Sequence, residues 1–207
     1  MTEFNDKQLE ILQVAEKLFA EDGFDGTSIR QIAKEAKVNI AMISYYFGSK
    51  EKLLETLIID RTSGMKMQLE NIYRDDLSPI EKVDRLIDLY ITRINKNKCM
   101  YQILHFEISN KKRIMDMQAF MDIKKENSEL FRMIIADGQE KGIFRKDVNI
   151  PLITPTIMGI LVNFQMNRLY FEQILNLHTE EDFENYILNE LTAHIKQTIK
   201  ALLAHEN

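Results

Sequence analysis

Apolar positions return every three or four residues along nearly the whole chain, and nowhere do they settle into the two-residue alternation of a strand. A first helix is expected over about Asp6–Glu21, with Leu12, Ala15 and Phe19 on one face, stopped by Asp22-Gly23. A second begins at Thr27 or Ser28, either of which can cap it, and places Ile29, Ile32, Ala33 and Ala36 on one stripe at i, i+3, i+4 and i+7. After Lys37-Val38, Asn39 can cap a third short helix that ends near Tyr45 or Tyr46. Gly48-Ser49 breaks the chain again, and Ser49 can open a long fourth helix with Leu53, Leu57, Met65 and Leu69 inward. Helices this short bury little alone, so the second and third must share one small core with their neighbours.

Longer helices are expected downstream. Ser78-Pro79-Ile80-Glu81 combines a capping serine, a first-turn proline and a glutamate at N3, and opens a helix to about Asn97. A shorter apolar piece covers about Met100–Ile108, and a long helix covers about Ile114–Glu140, ending near Gly142. Another is expected from Asn149–Thr154 to about Asn176, with Pro151 tolerated in its first turn. The last starts at Thr179-Glu-Glu-Asp182 and reaches Ala204. The resulting expectation is an all-α chain: a small domain over residues 1–64 with a helix-turn-helix at 28–47, joined through the long fourth helix to a larger helical domain over 65–207.

Composition narrows the class. Glycine (7) and proline (3) are too scarce for the turns of a β-sandwich or barrel. Cys99 is the only cysteine, which excludes an internal disulfide and fits a reducing, cytoplasmic setting. The first residues lack the basic-then-apolar pattern of a signal peptide, and the most apolar run, Ile150–Phe164, is interrupted by two prolines and shorter than the ~20 residues of a membrane span. No membrane association is expected. Net charge is −5, no sign of nucleic-acid binding by itself. Residues 1–60 carry seven Lys/Arg against eleven Asp/Glu, yet within Phe24–Lys52 five basic residues outnumber three acidic ones. The local balance permits a modest phosphate contribution to DNA affinity.

Residues 27–47 have the spacing of a helix-turn-helix. Ala33 is the small residue where two helices cross; Ile29, Ile32, Ala36, Val38, Ile43 and Phe47 pin them together; Lys37-Val38 supplies the tight turn. The early residues of the second helix would then face a DNA major groove. Any three-helix core shows such a stripe, so periodicity alone also fits an all-helical enzyme or metal-binding bundle, or an interaction module without DNA binding.

The literal residues go further. Phe19, Gly23, Phe24, Thr27, Ser28 and Ile29, then Ile32-Ala33, Ala36 and Val38, then Tyr46-Phe47-Gly48-Ser49-Lys50-Glu51 with Leu53-Leu54, resemble the DNA-binding domain of the TetR family of transcriptional regulators over roughly residues 5–64. The resemblance implies a homodimeric, ligand-responsive regulator, more often a repressor than an activator, on a palindromic double-stranded operator. It makes Thr27 or Ser28 a phosphate contact at the start of the second helix, where exposed N–H groups favour an anion. It makes Tyr46 and Lys50 further phosphate contacts, and turns Asn39, Ile40, Ala41, Met42, Ser44 and Tyr45 toward the groove or its rim. Asn39 has two competing uses, capping its own helix or reaching a base. Lys37 stands where the family usually has a left-handed glycine, at a cost of ~1 kcal/mol, and its ammonium could reach a phosphate. Ser44 replaces a frequent tyrosine, and Ile40 and Met42 suit thymine methyl groups better than polar base edges.

Weaker signals lie downstream. Met65, Phe120, Met121, Met158 and Phe164 belong to a methionine- and phenylalanine-rich stretch that suits ordinary helical core or a pliable apolar cavity for a small effector. Tyr90, Tyr101, Gln102 and His105 could add polar groups to such a cavity. Glu190 and His194 share a helix face, but no second pair accompanies them, so no metal site is expected. No glycine-rich phosphate loop or nucleophile elbow appears, so neither a cofactor nor an enzymatic activity is expected. The last two helices are apolar on more than one side, which requires burial in the centre of the monomer or in a dimer interface.

Overall fold

The computed structural model describes residues 4–109 and 118–205, and among them there are helices and no strands. The order is α1 (Asp6–Gly26), α2 (Ile29–Glu35), α3 (Ile40–Phe47), α4 (Lys50–Thr62), α5 (Met65–Arg74), α6 (Pro79–Lys96), α7 (Lys98–Ser109), α8 (Gln118–Glu140), α9 (Ile150–Met166), α10 (Arg168–Leu175), α11 (Glu180–Tyr186), a π-helical turn (Ile187–Leu191) and α12 (Thr192–Leu203).

Local chemistry places the early boundaries. Asn5 and Gln8 form a capping box at the start of α1. Ser28, Asn39 and Ser49 cap α2, α3 and α4, each accepting a backbone N–H of its own first turn. Gly23 (φ +72°) kinks α1 rather than ending it, so α1 runs past the expected stop to Gly26.

The long fourth helix of the sequence expectation is two helices. Gly64 adopts φ +78° between α4 and α5, a left-handed conformation that interrupts the helix at little cost only for glycine. The helix expected over 149–176 also divides, at Asn167, into α9 and α10, and Asn176 (φ +54°) ends α10. The expected start of α8 at 114–117 lies outside the described residues.

The described residues form two compact units. One takes those of Met1–Ser63 and Asn97–Lys124, the other those of Gly64–Lys96 and Lys125–Asn207. The first core joins Ile11, Leu12, Phe19, Ile32, Ile43, Phe47, Leu53, Leu54 and Leu57 to Met100, Ile103 and Leu104 of α7 and to Phe120. Helix α7, expected in the second domain, therefore packs on α1 and α4 as part of the first. Its apolar period was visible; which partner buries that face is a long-range property.

In the second unit α6 packs against α5, α9 and α12. Val83, Leu86, Ile87, Ile91 and Ile94 form its buried stripe. Lys196 and Lys200 of α12 pair with Asp88 and Asp84 of α6 at 2.6 and 3.1 Å. No helix among the described residues is long and apolar enough to cross a membrane.

Candidate nucleic-acid interface

Helix α3 is held by its inward side chains. Ile43 and Phe47 are buried in the first core, Tyr46 is half-buried against it, and Met42 is half-buried. Residues 40 and 44, and 41 and 45, are i, i+4 pairs on the opposite side. Ile40, Ala41, Ser44 and Tyr45 are accordingly exposed, Tyr45 by 84%. The Tyr46 ring stacks edge-on against Tyr45 and Phe47, with centroids 5.3 and 6.3 Å apart.

The turn before α3 has the expected strained residue: Lys37 sits at φ +52° and is exposed. The Val38 N–H donates to the Ala33 carbonyl at 2.9 Å, closing α2. The Asn39 side chain resolves its two competing uses toward capping, since its Oδ1 accepts the Ala41 N–H at 2.9 Å. Ser28 is exposed at the start of α2, with its hydroxyl accepting the Gln31 N–H at 3.1 Å.

Two expected phosphate contacts lie elsewhere. Thr27 is 1% exposed, and its hydroxyl faces the carbonyls of Leu18 and Gly23 at 3.0 and 2.8 Å. A buried polar group must find such partners, and Thr27 finds them beside the kink at Gly23. The Lys50 ammonium donates to the carbonyls of Phe24 and Thr27, both at 2.8 Å, and lies 4.2 Å from the centroid of the Phe24 ring. A cation at the carbonyl end of a helix and over an aromatic face is doubly favoured. Lys50 thus ties the start of α4 to the α1–α2 turn instead of reaching outward. Thr27, Ser28 and Lys50 all carry donors at the right points of the motif; spacing could not reveal that two of the three turn inward.

The chain matches the family model of bacterial regulatory proteins, tetR family, over residues 11–57, and that of the tetracyclin repressor-like C-terminal domain over residues 79–201. It belongs to the TetR family. The transcriptional repressor NicS of Pseudomonas putida is 33% identical to it over 76% of this chain and 75% of that protein. The probable transcriptional regulator YttP of Bacillus subtilis is 27% identical over 84% of each chain. Among solved structures, FadR of Bacillus subtilis in complex with stearoyl-CoA superposes with TM-score 0.74 at 18% identity, covering 94% of this chain and 98% of that one. The ketosteroid regulator KstR2 of Mycobacterium tuberculosis does so at 0.70 and 17%, covering 99% and 98%. As a TetR-family member the chain is a helix-turn-helix, DNA-binding transcriptional regulator.

The expected effector residues of this TetR-family chain are divided between the two units. Tyr101, Gln102, His105, Phe120 and Met121 fall in the first unit, where Phe120 is core, Tyr101 packs beside it, and Gln102, His105 and Met121 are exposed. Met65, Tyr90, Met158 and Phe164 fall in the second: Met65 and Tyr90 are buried, and Met158 is half-buried. Phe164 stacks on Phe171, Phe183 and Tyr186, with centroids 4.4, 5.0 and 5.4 Å away, so it is a packing centre. Composition identified apolar residues correctly; it could not divide them between two cores and a surface.

One side chain escaped the sequence reasoning. Asn127, on α8, is only 8% exposed, and its Oδ1 has no hydrogen-bond partner among the described residues. A buried amide oxygen without a donor is costly and therefore informative. Its position on the inward stripe with Phe131, Ile134 and Ile135 was the available signal: a polar residue where the helical period calls for an apolar one.

Proposed function

We propose that this TetR-family chain is a repressor that binds a palindromic operator as a homodimer and is released by a small apolar or amphipathic effector. The observation that carries the reading is the outward face of α3, exposed while its neighbours Ile43 and Phe47 are locked in the core. Asn39, Ile40, Ala41, Met42, Ser44 and Tyr45 address the major groove; Ser28, Lys37 and Tyr46 lie toward the phosphates. A modest share of the affinity is electrostatic, in keeping with the mild local excess of basic residues.

Dimerisation is assigned to the surfaces of α9–α12. Leu169, Tyr170 and Ile174 on α10 are 78, 59 and 52% exposed, and Leu188 and Leu202 are each 47% exposed. The apolar sides that the monomer leaves open are available to a second copy, and a two-fold dimer matches half-sites one DNA turn apart, ~34 Å. For the effector, support comes from the relatives: NicS and KstR2 are named repressors, one FadR structure holds stearoyl-CoA, and KstR2 is named for ketosteroids. The Asn127 amide would give an otherwise apolar ligand one polar anchor.

A gel shift on the DNA upstream of the protein's own gene tests the reading, because such regulators commonly lie beside their targets. A sequence-specific complex relieved by a fatty acyl or steroid ligand is expected. Linkage then requires operator and effector to weaken each other equally; a ~100-fold effect corresponds to ~2.7 kcal/mol of coupling. Equal ligand affinity with and without operator would sink the switch.

A further inference from the structure

The chemistry that α3 lacks defines the base sequence it can read. We propose that α3 recognises an A·T-dominated half-site core through thymine 5-methyl groups, with Ile40 and Ala41 as the side chains that meet them. This rests on α3 entering the major groove.

Three observations converge. First, the eight residues of α3, Ile-Ala-Met-Ile-Ser-Tyr-Tyr-Phe, include no acid, no lysine and no arginine. The commonest specific contact, Arg or Lys on the O6 and N7 of guanine, cannot come from this helix, nor can a carboxylate accept from cytosine N4. Second, Asn39 is not free to read adenine in the usual way. That pair uses the amide oxygen and nitrogen together, and the Asn39 oxygen already accepts the Ala41 N–H at 2.9 Å. One N–H₂ donor is what remains. Third, the first turn of α3, the part of a recognition helix that meets base edges, presents apolar surface. Ile40 is 42% exposed and Ala41 is exposed beside it, although Ile43 and Phe47 are buried.

In the major groove the thymine methyl group is the apolar feature among donors and acceptors. An exposed isoleucine and alanine facing that edge gain by covering methyls, and lose by covering cytosine N4 or guanine O6, which would go unpaired. Ser44 and Tyr45, each one turn further on, contribute hydroxyls that donate or accept and so discriminate weakly. Specificity is thereby moved from charge to shape.

In-vitro selection from randomised duplex with the full-length protein, followed by uracil substitution, tests this. Replacing thymine by uracil deletes the 5-methyl group and leaves every hydrogen-bonding atom in place. The expected result is a palindrome with A·T pairs at the core of each half-site. At one or more of those thymines uracil weakens binding about fourfold, the worth of one buried methyl. Ile40→Ala, at a surface position that should not disturb the core, is expected to erase that thymine–uracil difference. A G·C core, or uracil that is neutral at every thymine, overturns the inference while leaving the regulator intact. Failure to retain any duplex overturns the regulator reading itself.

Discussion

Helices α3 and α10 are each eight residues long, and each exposes large apolar side chains, but they are built differently. Helix α3 has a side-chain cap at Asn39 and two residues sunk into the core. Helix α10 has no side-chain cap and no buried residue at all. The first is complete within one chain: its outward face is what the inward face dictates, and that exposed face is the one proposed to meet DNA. The second is held on one side only, by Phe171 against Phe164, and its Leu169, Tyr170 and Ile174 are exposed. Exposed apolar surface thus means different things in the two places. On α3 it is proposed as a surface for DNA, on α10 as a surface for a second copy.

The largest effect should come from breaking α10. Leu169→Asp with Ile174→Asp is expected to shift the dimer to monomer at micromolar concentration and to weaken operator binding at least ~100-fold, because a single half-site supplies too little energy. Sedimentation velocity reads the first and a gel shift the second. A variant that stays dimeric would show that α10 is ordinary surface and would collapse the contrast with α3.

Next in size are two buried positions, one in each unit. Thr27→Val keeps the shape but removes the hydroxyl facing the Leu18 and Gly23 carbonyls, and should cost about 1–3 kcal/mol in denaturant unfolding. Gly138→Ala would place a Cβ 2.1 Å from the Phe144 ring, an overlap that should cost about 1–3 kcal/mol as the ring is displaced. If Thr27→Val left stability unchanged but weakened DNA binding uniformly across sequences, Thr27 would be a phosphate contact after all.

Thr27 also marks how far the sequence was legible. The starts of α2, α3 and α4 were readable because their caps act within three residues, and the inward identity of Ile43 and Phe47 followed from period alone. The direction of Thr27 and Lys50 was not readable: both have partners nine or more residues away, across a kink whose consequences only the folded chain displays. Gly64 was hidden for another reason, since a single glycine inside a helical pattern is usually tolerated and here is left-handed. In the second unit the apolar period was plain, but it says only that a residue is covered. Phe164 meeting Phe171 and Phe183, and the Asn127 Oδ1 lacking a partner among the described residues, depend on how helices far apart in sequence pack.

A smaller gain is expected at the strained turn. Lys37 pays for φ +52°, so Lys37→Gly should raise stability by about 0.5–1 kcal/mol, less than the full left-handed penalty because glycine also loosens the unfolded chain. The same variant should bind the operator slightly less well if its ammonium serves a phosphate, with a salt slope smaller by about one. Gain in stability with an unchanged slope would confine Lys37 to the turn.

The smallest effect separates the units by pH. The four helices that open the first unit start on neutral side chains: Asn5 with Gln8, Ser28, Asn39 and Ser49. Two helices of the second start on carboxylates. Glu81 accepts from the Ser78 hydroxyl and backbone N–H, and Asp182 accepts from the N–H groups of His178 and Thr179 while Thr179 caps it in return. The Ser78 hydroxyl, then its backbone N–H, holds the Glu81 carboxyl below its usual range; the Thr179 cap, then the His178 N–H, does the same for Asp182. A carboxyl lowered by folding stabilises the native state fully above its unfolded pKa of about 4, and that contribution is lost as pH falls through the lowered value. Glu81→Gln and Asp182→Asn should therefore be less stable than the parent at pH 7 and converge with it in acid, as pH falls through the lowered values. Ser28→Ala and Asn39→Ala should instead cost about the same, ~1 kcal/mol each, at both values. Urea midpoints for the four variants at a series of pH values decide it. A constant gap for Asp182→Asn would mean that its cap works through geometry rather than charge, and in that respect the second unit would be built like the first.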